Sequence, residues 1–236
     1  MKFFGTNNIF AHMHEHILRR GDLAGKIVID LPAGKGKMTT VLRNLGAKVE
    51  AYDLYPDLCE AEGIVCQHAD LTRQVPIADN YADFVLCQEG IEHIPDQLAV
   101  FRELSRILKP GGRLLMSTPN ISHLRAKLSN FLVESEYLRR MPANELDSVY
   151  RAPGGRNEVA FGHVFLIGAQ RLRVLGRVAG LRLVRSHPVK ASGVSLLLGV
   201  LYPVLLLANV FLYVDALRRK PRGAHGTPAQ RRQVYG

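Results

Sequence analysis

Short apolar runs alternate with amphipathic stretches through the first 120 residues. Residues 26–31 (KIVIDL), with Ile27, Val28 and Ile29 in succession, are closed by Pro32 and glycines and read as a buried strand. Residues 37–45 read as a helix stopped by Gly46, 48–52 as a second strand, 64–67 as a weaker third and 83–87 (DFVLC) as a fourth. In residues 97–108, Leu98, Phe101, Leu104, Ile107 and Leu108 share one face at helical spacing. Lys109-Pro110-Gly111-Gly112 ends that helix, and 113–117 follow as a fifth strand. Strands alternating with helices over short connections predict an α/β fold. It is a doubly wound, mostly parallel sheet with helices on both faces.

The rhythm breaks at 121–160. Two helical patterns, 122–131 and 134–140, precede a Pro/Gly stretch (APGGRN) and read as an insertion over the carboxyl ends of the strands, where a lid would sit. Residues 169–180 read as a basic helix and 181–189 as a sixth strand. The chain therefore divides into a 1–190 domain, an apolar segment at 191–217 and a basic tail at 218–236 that reads as disordered.

Charge sharpens this division. Residues 1–158 carry 19 Lys and Arg against 20 Asp and Glu, whereas 159–236 carry 12 against the single acid Asp215. All of the +10 net charge sits in the last third, which predicts an anionic partner there, either a nucleic acid or an anionic membrane surface. Within that third, 196–214 is 19 residues without charge, long enough to cross a bilayer but interrupted by Pro203 and Asn209. Both flanks are basic, so a single span would leave one basic flank outside. A monotopic helix or hairpin at the inner face of the membrane satisfies both. The opening residues lack a signal-peptide pattern, which agrees with a cytoplasmic location. Composition, 47% hydrophobic and 22% charged, excludes a disordered or collagen-like chain. Cys59, Cys66 and Cys87 are too few and too oddly spaced for a disulfide framework or zinc site.

The candidate chemistry lies where strands end. The first strand ends in Asp30 and leads into Gly34 and Gly36, which let backbone approach a ligand at a helix N-terminus. The second ends in Asp53, placed to accept hydrogen bonds from both ribose hydroxyls. The third leads to Asp70 and Leu71, and the fourth to Gln88. Such a rim suits a nucleoside ligand. A nicotinamide cofactor fits less well, because position 39 is Thr where a full G-x-G-x-x-G would need glycine.

The ordered set VIDLPAGKGKMT, VEAYD, ADLTRQVPIADNYADFVLCQEGIEHIPD and ELSRILKPGGRLLMSTPN resembles the class I S-adenosylmethionine-dependent methyltransferases, strongly over 20–120 and more weakly to 190. The resemblance implies S-adenosylmethionine as cofactor. Gly34 and Gly36, with Asp30 just before them, would lie along its methionine part. Asp53 would hold the ribose, Asp70 and Leu71 would border the adenine, and Gln88 would lie beside the sulfonium. Where the family has its first loop glycine this chain has Pro32, which fixes φ and removes a donor. The chain also resembles the ubiquinone-biosynthesis and the glycan- and lipid-acting O-methyltransferases.

Two histidines are candidate catalytic bases. His93, in QEGIEH, has a suitable unperturbed pKa for a hydroxyl acceptor, or else only orients the loop. His163, in FGHVFLIG, resembles a Gly-His turn of the glycan- and lipid-acting relatives and is either a second base or a helix cap. Glu89, Glu92 and His93 resemble a cluster that in the ubiquinone-acting enzymes implies a divalent metal, but no metal ligand is assigned here. His12, His14 and His16 read as part of an N-terminal helix. The expected activity is transfer of a methyl group to an oxygen of a small-molecule, lipid-linked or glycan acceptor at the membrane surface. The rivals are a nucleic-acid-directed methyltransferase, disfavoured by few aromatics for stacking, and a non-catalytic membrane adaptor.

Overall fold

The computed structural model describes residues 9–18, 23–134, 149–151 and 159–186, with residues 203, 204, 207, 208, 210, 211, 214 and 215. Residues 1–190 and 191–236 are two compact units. In the first, strands β1 (Ile27–Asp30), β2 (Lys48–Asp53), β3 (Cys66–His68), β4 (Ala82–Gln88) and β5 (Leu108–Ser117) form one sheet in the order β3-β2-β1-β4-β5. Every pairing is parallel. Helices α1 (Ile9–Leu18), α2 (Lys37–Asn44), α3 (Gln97–Ile107), α4 (Leu124–Val133) and α5 (Ala169–Val178) accompany it.

The apolar runs of β1 and β4 are unbroken because the sheet is covered on both faces. Side chains alternate across a strand. Ile29, Val85 and Cys87 therefore pack with Val100, Phe101, Leu104 and Ile107 of α3, while Val28, Phe84 and Leu86 pack with Met13 and Ile17 of α1 and Met38 and Leu42 of α2. Burial pushes the Cys87 thiol well up, as expected of a core thiol. Asp96 caps α3, its side chain accepting from the Ala99 N–H at 3.0 Å.

Four sequence expectations change. The fifth strand starts at Leu108 rather than 113: the Lys-Pro-Gly-Gly stretch stays beside β4, with a register irregularity between Ala82 and Phe84. The first insertion helix runs over Leu124–Val133, two residues later than its pattern, because His123 takes the cap through Nδ1, which accepts from the Ala126 N–H. Residues 181–186 form no strand; Leu183 and Val184 are both exposed, so the period-two burial a strand requires is absent. An unforeseen antiparallel pair, β6 (Val149–Arg151) and β7 (Val159–Phe161), flanks the Pro/Gly stretch. The helical pattern at 135–140, the Pro/Gly stretch itself and the tail from 216 lie outside the described residues.

Gly36 is required by both conformation and space. Its φ is +73°, and a Cβ there would stand 2.6 Å from Ala61 Cβ and 2.7 Å from Cys59 Sγ. Gly34 also has positive φ, +52°, but nothing lies within 4 Å of where its Cβ would be. The loop thus packs tightly on its inner side and leaves open space on the other.

Candidate active site

Five parallel strands end at one edge, so Asp30, Asp53, His68, Gln88 and Ser117 line a common rim. Register sets Asp53 beside His68 and Gln88 beside Ser117. The strand order reverses between β1 and β4, which opens the crevice in which ligands of such sheets bind.

Asp53 ties the glycine loop to the end of β2. Its Oδ2 accepts the Gly34 N–H at 2.7 Å and its Oδ1 accepts the Tyr55 N–H at 2.8 Å. Each carboxylate oxygen retains a second lone pair for a ligand hydroxyl. The Asp53 carbonyl accepts the Ala69 N–H at 2.9 Å, which brings Asp70 and Leu71 to the same side. Asp70 is held in turn: its Oδ1 accepts from the backbone and hydroxyl of Thr72, and its Oδ2 lies 3.6 Å from the Arg73 Nε. Leu71 is buried beneath it.

Asp30 is placed differently from the others. It is 1% exposed, and its Oδ2 accepts from Thr39 Oγ1 at 2.5 Å. Burial pushes its carboxyl up to about 7, against the Thr39 hydrogen bond, with the nearby Asp53 charge adding to the rise. It braces the start of α2 from behind the loop. Thr39 stands where a full G-x-G-x-x-G would have glycine, and its hydroxyl is what holds Asp30. The peptide between Leu31 and Pro32 is cis, and Pro32 sits against Gly90, where a Cβ would lie 2.7 Å from its Cγ.

Across the crevice, the turn Ile91–His93 after β4 is stapled to residues 162–165 beyond the insertion. His93 Nδ1 lies 3.1 Å from the Gly162 carbonyl. A carbonyl only accepts, so Nδ1 is the donor in this contact. The Phe165 N–H donates to the Glu92 carbonyl at 3.0 Å, and Gln97 Nε2 donates to the carbonyls of Ile91 and Phe165. The Ala169 N–H at the start of α5 donates to Ser122 Oγ at 3.0 Å, tying the far end of the insertion to its near end. The result places the rings of His93 and His163 at 5.0 Å between centroids, with planes at 61°. His93 is half-buried and His163 exposed.

Glu89 and Glu92 border this pair. Glu89 has φ +49°, and its Oε1 accepts from Ser117 Oγ at 3.1 Å. Glu92 is fully buried and accepts from Thr118 Oγ1 at 2.9 Å. Burial raises both carboxyls, and for Glu89 the Glu92 charge adds to it. Ser117, Thr118 and Gln97 carried no signal in sequence, since each works only through a partner distant along the chain. A separate cleft of about 240 Å³ lies at the opposite, amino-terminal edge of the sheet, among Lys26, Asp83, Lys109 and Arg113. Its Asp83 is occupied by the Ile27 N–H and Lys109.

Comparison with known proteins identifies the family and the fold. The family model described as a methyltransferase domain matches residues 7–186. Ubiquinone biosynthesis O-methyltransferases of Xanthomonas oryzae and Xanthomonas campestris are 33% and 32% identical, each over 54% of this chain and 56% of the relative. The chain thus spans about half the length of the curated relatives it matches. Among solved structures, an S-adenosylmethionine-dependent methyltransferase of Aquifex aeolicus has a TM-score of 0.51 at 17% identity, over 75% of this chain and 83% of that one. The Haloferax volcanii complex of the Trm112 methyltransferase activator with a methyltransferase gives 0.51 at 19%, over 74% and 70%. At these identities the structures speak for the fold alone.

Two outcomes follow for the cofactor side. Asp53→Ala removes the anchor of Gly34 and the carboxylate expected to accept from the ribose, and should weaken S-adenosylmethionine binding by about 2–4 kcal/mol in calorimetry. Unchanged affinity in a folded variant would contradict the assignment. Asp30 is more readily protonated folded than unfolded, so its contribution is full below about pH 4 and is lost as pH rises to about 7. Thermal melts of the free protein should therefore show Asp30→Asn gaining on the wild type between pH 4 and 7. A parallel pair of melting profiles would refute this.

Proposed function

We propose that this chain, which belongs to the methyltransferase-domain family and is an S-adenosylmethionine-dependent methyltransferase, moves the methyl group to an oxygen of a lipid-linked or glycan acceptor at a membrane surface. One observation carries the acceptor side of this reading. His93 and His163, 70 positions apart, meet at the rim where β4 and β5 end.

The sulfonium is already activated, so the protein has to align acceptor oxygen, methyl carbon and sulfur, exclude water, and take one proton. Asp53, the Gly34–Gly36 loop and Asp70–Leu71 hold the nucleoside and methionine parts, with Gln88 beside the sulfonium. The His93–His163 pair receives the acceptor: the Gly162 carbonyl fixes the His93 proton on Nδ1 and turns Nε2 toward the acid–base task. The Xanthomonas relatives are named for ubiquinone biosynthesis, which supports an oxygen as the methylated atom.

The membrane part of the reading rests on the second unit. Val204, Leu207, Val210 and Phe211 are helical and exposed, Leu207 by 70% and Phe211 by 71%. Their spacing of three, three and one places them along one side of a helix. Beyond them Arg218, Arg219, Lys220 and Arg222 supply positive charge for anionic headgroups. Among the described residues no helix is long and apolar enough to cross a membrane. Attachment in the plane of the interface fits both facts.

Profiling with methyl-labelled S-adenosylmethionine against membrane-lipid and polysaccharide fractions tests the acceptor class; label confined to nucleic acid would overturn it. In that assay His93→Ala should lower turnover roughly 100-fold or more with cofactor affinity nearly unchanged. Equal losses in both would mean that His93 only supports the loop. In vesicle flotation the full chain should rise with anionic liposomes, and Leu207→Glu with Phe211→Glu should leave it at the bottom of the gradient. A wild type that never floats would refute attachment.

A further inference from the structure

The glycine loop has a floor, and a thiol is part of it. A Cβ at Gly36 would stand 2.6 Å from Ala61 Cβ and 2.7 Å from Cys59 Sγ, so the loop rests directly on those two side chains. The segment that carries them is fastened to its surroundings. The Glu60 N–H donates to the Lys35 carbonyl at 3.1 Å, and Lys35 Nζ donates to Glu60 Oε1 at 2.7 Å. Arg43 of α2 donates to the Glu62 carbonyl.

A second thiol lies against the first. Register aligns Asp30, Ala51 and Cys66 across β1, β2 and β3, so their side chains share one face of the sheet. It is the face on which α2 lies, since Asp30 accepts there from Thr39. The Cys66 and Cys59 thiols hydrogen-bond to each other, and both residues are half-buried, whereas Cys87 is enclosed in the core. β3 is an outer strand of the sheet, so the pair sits at its edge. Burial, with the Cys59 thiol beside it, pushes the Cys66 thiol up to about 12 and keeps it protonated, which leaves the first attack to Cys59. Methyl transfer itself uses neither cysteine. Three cysteines at these spacings make no structural framework, but two touching, partly exposed thiols are the setting of a labile disulfide.

We propose that a small organic disulfide oxidises Cys59 and Cys66 to an internal disulfide, and that this bond weakens S-adenosylmethionine binding by shifting the floor beneath Gly36. The exchange has two steps. The Cys59 thiolate attacks one sulfur of the organic disulfide, forms a mixed disulfide and releases one thiolate. Cys66 then gives its proton to solvent and its sulfur attacks Cys59 Sγ, forming the internal bond and releasing the second thiolate. The protein thiols lose two electrons, and the organic disulfide gains them to become two thiols. A disulfide brings its sulfurs to about 2.05 Å, closer than two hydrogen-bonded thiols approach. Cys59 Sγ therefore has to move, and the loop that rests on it has no slack. The effect on binding rests on the cofactor placement above; the bond itself is read by mass.

The test uses the full chain, reduced and then equilibrated with oxidised glutathione. Cleavage after Glu60 and Glu62 separates the two cysteines, so an internal bond appears as two joined peptides with two hydrogens fewer than the reduced pair. In calorimetry the oxidised wild type should bind S-adenosylmethionine roughly tenfold or more weakly than the reduced form. Dithiothreitol should restore the affinity, which shows that the fold is intact. Cys59→Ser should have the same affinity before and after oxidant. Cys66→Ser should stop at one glutathione held on Cys59. An unreacted wild type, glutathione retained on it without an internal bond, a bond that includes Cys87, or an internal bond with unchanged affinity would overturn the proposal. Reduced Asp53→Ala binding like the reduced wild type would count instead against the cofactor placement and leave the internal bond standing.

Discussion

All five strands of the sheet run in one direction, and that constraint decides where chemistry is available. Parallel strands must finish at the same edge, so the polar residue that closes each apolar run arrives at a common rim. Asp30, Asp53, His68, Gln88 and Ser117 are neighbours there because of register, although they span 88 positions of sequence. The reversal of strand order between β1 and β4 then separates the rim into two sides. One carries the glycine loop and Asp53; the other carries the Glu89–His93 turn.

The two sides are built by different physics. On the Asp53 side, backbone geometry dominates: Gly36 has no room for a side chain, and Asp53 accepts one hydrogen bond on each oxygen from a backbone amide. On the other side, side chains reach across long sequence separations. Gln97, Glu92 and His93 grip the 162–165 turn, and Ser122 grips the start of α5. The insertion is thereby clamped at its base. Fold alone does not fix an acceptor.

Most of the sheet was legible in the sequence because β1 and β4 are buried on both faces and leave unbroken apolar runs. The glycine turn after β1 and the acid that closes β2 were legible because local spacing places them, and the structure joins them through the Gly34 N–H on Asp53. Elsewhere the sequence misleads for identifiable reasons. Residues 181–186 have strand-like composition, yet Leu183 and Val184 are both exposed, and composition cannot reveal that no strand among the described residues pairs with them. Pro110 and the glycines after it look like a terminator, yet β5 runs through them because an irregular register beside β4 tolerates them. Asp30 looked like a ligand-facing acid and is instead turned inward onto Thr39, a pairing no spacing rule gives. His163 could be suspected, but its approach to His93 depends on three hydrogen bonds that exist only once the chain is folded.

We place S-adenosylmethionine at the carboxyl-terminal rim of the sheet, on its Asp53 side. Hydrogen–deuterium exchange of the full chain with and without S-adenosylmethionine tests it most directly. Exchange should slow in the peptides covering 30–36, 53–55, 70–72 and 88–93, with little change at 109–113. Protection centred on 109–113 and Lys26, at the opposite edge of the sheet, would contradict it.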